Sequence, residues 1–296
     1  MESDEIRKLK EMLDSGVITK EVYEEILSRW DSSNNGNKAG SGKETTEEDK
    51  SRKRGETVRI SGSGSLSEVF VKEIRVSGSS KIEGNCDADV MHISGSTSVG
   101  GDVISSDTID VSGSMRVDGK ITGNKVSSSG SLHASEIHCH DLHCSGSLHI
   151  KGIISAEEAR FSGSCESANL KVLELESSGS IRAETIESDT IVLHGNIRSE
   201  SVICRDIEIE IYTSGGRIKN LVADTVTIAP KMRIFSRGEI RIEDIKCKNG
   251  DFDGLRASRV VGEDLHFGPN CIIDYAEGKK ITMEDGAKIR EKKIVD

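Results

Sequence analysis

The stretch Ile74-Arg75-Val76-Ser77-Gly78-Ser79 decides how this chain is read, because its apolar-x-apolar-Ser-Gly phrase keeps returning. It stands earlier as Val58-Arg59-Ile60-Ser61-Gly62 and later as Met91-His92-Ile93-Ser94-Gly95, Ile109-Asp110-Val111-Ser112-Gly113 and Leu142-His143-Cys144-Ser145-Gly146. Looser copies end at Gly163, Gly179 and Gly195, the last carrying Ile191 and Leu193. The copy ending at Gly130 places Ser128 at its second apolar position. From Gly62 to Gly195 the steps between these glycines are 16, 17, 18, 17, 16, 17, 16 and 16 residues. A fixed period near 17 over so much of a chain means a solenoid in which each repeat forms one coil.

Within a coil, alternation assigns the faces. Ile74 and Val76 point inward while Arg75 and Ser77 point out, as in a half-buried strand. A further apolar residue follows four positions after many Ser-Gly pairs, at Leu66, Ile82, Val99, Val117 and Ile150. A pair five residues apart comes later in the coil: Ile104 and Ile109, Ile137 and Leu142, Leu170 and Leu175, Ile186 and Ile191. This pattern reads as three short strands per coil around a narrow core. The expected core includes Ile74, Val76, Ile82, Ile93, Val99, Ile109, Val111, Val117, Leu142, Cys144, Ile191 and Leu193. Glycine takes the corner at Gly62, Gly78, Gly95, Gly113, Gly130, Gly146, Gly163, Gly179 and Gly195, where positive φ or close approach suits it. Residues 58–296 form this all-β solenoid, whose coils stack in parallel at about 4.8 Å into a rod on the order of 65 Å long. Past Gly195 the pattern loosens. Phe267 and Tyr275 lie near that end, where a larger ring can close the core or meet another rod.

Two other segments precede the coils. Residues 1–30 read as a helical hairpin, with Leu9 and Leu13 on one helix and Ser15-Gly16 ending it. Thr19 caps the second helix, and Ile18 and Tyr23 are placed as a hydrophobic staple. Tyr23, Ile26, Leu27 and Trp30 continue its apolar stripe. So short a hairpin buries little area alone and is expected to dock on another copy or another protein. Residues 31–57 are a polar tether rich in Ser, Asn, Gly, Lys and Glu, spanning about 30 Å.

Composition narrows the function. Only 3% of residues are aromatic, which fits a core of stacked small aliphatic side chains. A net charge of −11 argues against nucleic acid or an anionic membrane as a main partner. No stretch nears the roughly 20 apolar residues of a membrane span, and MESDEIRKLK lacks a signal-peptide core. Seven dispersed cysteines, several at apolar positions of the repeat, read as buried reduced thiols in a cytoplasmic protein.

Candidate chemistry centres on residues 133–149, which hold His133, His138, His140, His143 and His149 with Cys139 and Cys144. Imidazole and thiolate are zinc ligands. Alternation, however, turns Cys139 and Cys144 inward and His138, His140 and His143 outward, which argues against convergence on one ion. A catalytic serine is needed once, beside one base, so a Ser-Gly in every coil reads as a corner and not as a nucleophile. No enzyme, cofactor or metal is expected.

With the repeats laid out, residues 58 to about 290 resemble the bactofilins, on the 17-residue period and the Val76-Ser77-Gly78-Ser79, Ile93-Ser94-Gly95-Ser96 and Val111-Ser112-Gly113-Ser114 phrases. The resemblance implies a right-handed parallel β-helix that assembles without nucleotide, through the ends of the helix, into a cytoskeletal scaffold. This solenoid is about twice the usual length and lacks an apolar membrane-targeting tail and a proline-rich tether. Leu9 to Thr19 similarly resembles the SHOCT-type helical module, which implies oligomerisation or docking. Physics leads the same way, since an uncapped end coil has unpaired N–H and C=O groups that invite another copy. The expected function is a self-associating scaffold. The other reading is a monomeric or dimeric rod whose outward Ser, His and Arg residues form a ligand surface.

Overall fold

A computed structural model describes residues 55–211, 216–230 and 239–295. The hairpin residues Leu9, Leu13, Ile18, Tyr23, Ile26, Leu27 and Trp30, and nearly all of the tether, lie outside the described residues. The described chain is all strand and turn, with 25 strands in one continuous sheet whose neighbouring coils pair in parallel. It is a parallel β-solenoid of about 14 turns. The first strand begins at Gly55, just before Val58.

Burial shows three faces per coil. In the coil opening at Val69, the inward residues are Val69 and Val71, then Ile74 and Val76, then Ser80 and Ile82. The next coil repeats this with Cys86 and Ala88, Met91 and Ile93, and Thr97 and Val99. Two consecutive outward residues, Lys72 and Glu73 in the first case, turn the chain from the first face to the second. That corner keeps its strand pairing, so the first two faces form one bent strand, Val69–Val76, and Ser79–Ile82 forms the third. Later the corners merge further, and Ser164–Ser177, Ser180–Leu193 and Asn196–Ile211 are unbroken strands of 14, 14 and 16 residues. The expectation of three separate strands per coil is corrected accordingly: three faces, but one or two strands.

The Ser-Gly corner has a distinct cause. Its backbone hydrogen bonds run from coil to coil: Ser79 N–H donates to Gly62 C=O at 2.9 Å, Ser96 to Gly78 at 2.9 Å and Ser131 to Gly113 at 2.9 Å. A Cβ built on Gly78, Gly95, Gly113, Gly130, Gly146, Gly163, Gly179 or Gly195 would lie 1.8–2.0 Å from the carbonyl oxygen of the glycine one coil earlier. Close approach, not φ, therefore demands glycine here, because among the described glycines positive φ occurs only at Gly254 (72°) and Gly286 (99°). Gly62, in the first coil, has nothing within 4 Å of such a Cβ.

Coil length varies at defined places. Through the first nine steps, paired residues lie 16–18 apart. The 18-residue coil carries a register shift between Ser105 and Thr108. This extra residue puts Val103 in the core and leaves Ile104 half-buried on the outside, correcting the pairing of Ile104 with Ile109 read from sequence. Beyond Asn196 the steps become 19, then 24, then 15, then 16 residues.

Candidate functional site: the end coils and the outer columns

Ile74, Val76, Ile82, Ile93, Val99, Ile109, Val111, Val117, Leu142, Cys144, Ile191 and Leu193 are each at most 3% exposed, in one continuous core. That core stays covered only while a coil lies on both sides. In the first coil Val58, Ile60 and Leu66 are half-buried, although Ile74, Val76 and Ile82 directly above them are closed. In the last coil Ile281 and Ile289 are half-buried, Met283 is 42% exposed and Ile294 is 54% exposed. Among the described residues, nothing stacks on strands Gly55–Ile60 and Ser63–Leu66 at one end, or on Lys280–Met283 and Lys288–Ile294 at the other. Among the described residues, each end coil therefore has a row of backbone N–H and C=O groups with no strand beyond it, around a patch of core side chains.

Of the two rings near this end, Phe267 closes the core beneath the last coil and Tyr275 lies on the outside. Phe267 is fully buried and stacks on Phe252, with centroids 5.3 Å apart. It fills the core and presents no surface to a second rod. Tyr275 lies on the outside of strand Ile272–Gly278, one coil before the last. Its hydroxyl donates to a Glu277 carboxylate oxygen at 2.6 Å, and the Arg259 guanidinium stands 5.8 Å from its ring centre. Late position in the sequence was a fair signal of core closure for Phe267 and a poor signal of the end face itself. The better one was the column of inward apolar residues that has no further member beyond it.

Parallel, in-register stacking converts each outward position into a column, one side chain per coil. The histidines illustrate the result. Across coils His140 pairs with Glu157 at 2.8 Å and His149 with Glu166 at 3.2 Å, while His133 lies 5.6 Å from His149; His138 instead pairs with Glu136 of its own strand at 3.1 Å. Burial, then Arg116, then His149, holds the His133 imidazole below its ordinary pKa. Cys139 and Cys144 point into the core behind them, and burial raises both thiols. Among the described residues no three His, Cys, Asp or Glu side chains are placed to hold a metal ion. Burial likewise pushes Cys86, Cys204 and Cys247 up to about 12, far from the pKa of a nucleophilic thiol.

One corner column alternates in sign from coil to coil. Asp189 faces Arg205 at 3.7 Å, Asp224 faces Lys248 at 2.9 Å and Glu263 faces Lys279 at 3.1 Å. The Arg205 guanidinium also feels Asp224, and the Lys248 ammonium feels Glu263, so the run is continuous. No helix among the described residues is long and apolar enough to cross a membrane. No family model, curated protein or solved structure matches the chain.

Proposed function

We propose that this protein is a non-enzymatic scaffold that joins copies of itself through its end coils, without nucleotide. The observation that carries this reading is the pair of end coils on which no described residue stacks. Val58, Ile60 and Leu66 at one end, and Ile281, Met283 and Ile289 at the other, are core residues missing one layer of neighbours. Burying such a patch is favourable at roughly 25 cal/mol per Å² of apolar area. The unpaired strand edges around it add hydrogen bonds in the same act. Stacking another end coil meets both needs, because the new coil supplies side chains and backbone groups at the existing spacing. The bactofilin-like Ser-Gly repeat supports the same reading. The SHOCT-like hairpin is then a second contact, recruiting or cross-linking copies.

Negative-stain microscopy of the full chain, without nucleotide and across a concentration series, tests this proposal. Filaments many rods long are expected. Ile60→Lys and Met283→Lys alter residues that are already partly open, so the inner coils should melt as before while filament length collapses. Single rods at every concentration, or filaments indifferent to both substitutions, would refute end joining. A rod that stays single and binds a ligand along its side would instead be a display surface.

A further inference from the structure

The alternating corner column has a counterpart that does not alternate. On the third face, Arg182, Arg198, Arg217, Arg241 and Arg256 stand in register on five successive coils. Like charges directly opposite one another in a sheet are destabilising. A chain of net charge −11 nevertheless concentrates five arginines along one line. Neighbouring carboxylates answer three of them: Glu166 lies 3.8 Å from Arg182, Glu243 hydrogen-bonds Arg217, and Glu239 lies 3.7 Å from Arg256. Arg198 and Arg241 have no carboxylate within 4.0 Å among the described residues.

The second face carries the opposite sign. Asp141, Glu158 and Glu174 are in register on consecutive coils, and Asp206 stands in the same column two coils further on. With Glu176 and Glu208 beside them, six carboxylates line this stretch against two cations, Arg160, which pairs with Glu158 and Glu176, and Arg205, which pairs with Asp206; His140 lies 3.1 Å from Asp141. The two strips share one rise, about 4.8 Å per coil, because both belong to the same solenoid. Sliding one rod two coils along another places Asp141, Glu158, Glu174 and Asp206 opposite Arg182, Arg198, Arg217 and Arg256. We infer that the arginine column docks on the acidic second face of a neighbouring copy, packing rods side by side.

The spacing favours a second copy over nucleic acid. Duplex DNA carries a charge about every 1.7 Å along its axis, which does not match one arginine per coil, and the rod's overall charge repels it. Exposed ion pairs are individually weak and screened by salt. One rod offers only a few, whereas a filament repeats the strip along its whole length and gains by multivalency. Side-by-side packing therefore rests on the end-joining reading for its strength, yet it is seen in a different dimension: ends set filament length and strips set filament width.

The test compares the full chain with Arg198→Glu/Arg217→Glu, with Glu158→Arg/Glu174→Arg, and with all four substitutions together, since these are the pairs that face one another in this register. Length and width are scored separately by negative stain at low and high salt, with circular dichroism melts as the fold control. Wild-type bundles should thin to single-rod width in high salt. Either pair alone should do the same at low salt, raising the concentration needed for bundling by about tenfold or more. The four-fold exchange should restore width. Bundles of unchanged width in either pair would overturn the inference, as would wild-type filaments that never widen but bind dextran sulfate through these arginines. Unit-length rods that still form rafts would uphold the side contact while refuting end joining.

Discussion

Alanine at Gly130 and alanine at Gly62 are the same chemical change at the same corner, with opposite expected outcomes. At Gly130 the new methyl would sit 1.8 Å from Gly113 O and 2.7 Å from Ser112 O, backbone atoms that cannot rotate away. Relief requires the two coils to part locally by more than 1 Å, by roughly the shortfall from ordinary contact. That movement breaks the 2.9 Å bond from Ser131 N–H to Gly113 C=O and weakens the 3.2 Å bond from Gly130 N–H to Val111 C=O. Two compromised inter-coil bonds and residual strain sum to about 2–4 kcal/mol. At Gly62 the methyl meets nothing within 4 Å, and φ is not positive. There the substitution should be neutral, or stabilise by about 0.5 kcal/mol through the unfolded chain. Urea denaturation followed by circular dichroism, at concentrations where rods are single, measures both. Hydrogen exchange should localise the Gly130→Ala effect to coils 113–146, as expected where each repeat contacts only its neighbours. Equal stability of the two variants would refute the account of the corner. The pair also bears on assembly. If another coil stacks in register on the first, Gly62→Ala should leave the rod intact and yet impair joining at that end.

Four further outcomes follow from the structure. Ser128 is buried with a hydroxyl that has no partner, between Val111 and Cys144 in its column, so Ser128→Ala should stabilise by about 1 kcal/mol in the same denaturation assay; a loss would reveal a hidden bond. Val76→Asp introduces a carboxylate at a position 1% exposed and should unfold the surrounding coils, whereas an unchanged melt would reject the inward assignment. The His133 pKa is lowered in the fold, so its contribution is present above the unfolded value near 6.5 and is lost as pH falls through the folded one. Melting temperature should thus decline on acidification below about pH 6.5, and less steeply in His133→Gln; identical profiles would exclude the imidazole as the cause. Iodoacetamide at pH 8 should spare Cys139 and Cys165 in the native rod and modify them after unfolding, as read by mass spectrometry of peptides.

The Ser-Gly phrase made most of the solenoid legible, because one corner residue per coil is forced by backbone contact and cannot drift. What it concealed were features that depend on register between coils. Ile104 and Val103 are equally apolar, and only the extra residue near Ser106 decides which of them enters the core. The bend at Lys72-Glu73 needs no glycine, so nothing in the sequence announces that two faces share a strand. The arginine column was hidden for the same reason. Its members are separated by 16, 19, 24 and 15 residues, so no fixed period finds them until the pairing is known. A usable trace did exist in Ile181-Arg182-Ala183, Ile197-Arg198-Ser199, Ile240-Arg241-Ile242 and Leu255-Arg256-Ala257, each an arginine between two inward residues.

Because coils stack along the rod, every backbone hydrogen bond between them lies near the long axis, and the covalent chain winds around that axis like wire in a spring. Tension along the rod therefore loads those bonds directly, and the coil that yields first is one held from a single side. Among the described residues only the first and last turns meet that description. A lone rod under strain should peel from its tips, one turn at a time, while its middle holds. Joining tip to tip removes the free turns from all but the extremities of the assembly. The load a filament bears before yielding should then be set by its two extremities, however many rods lie between them.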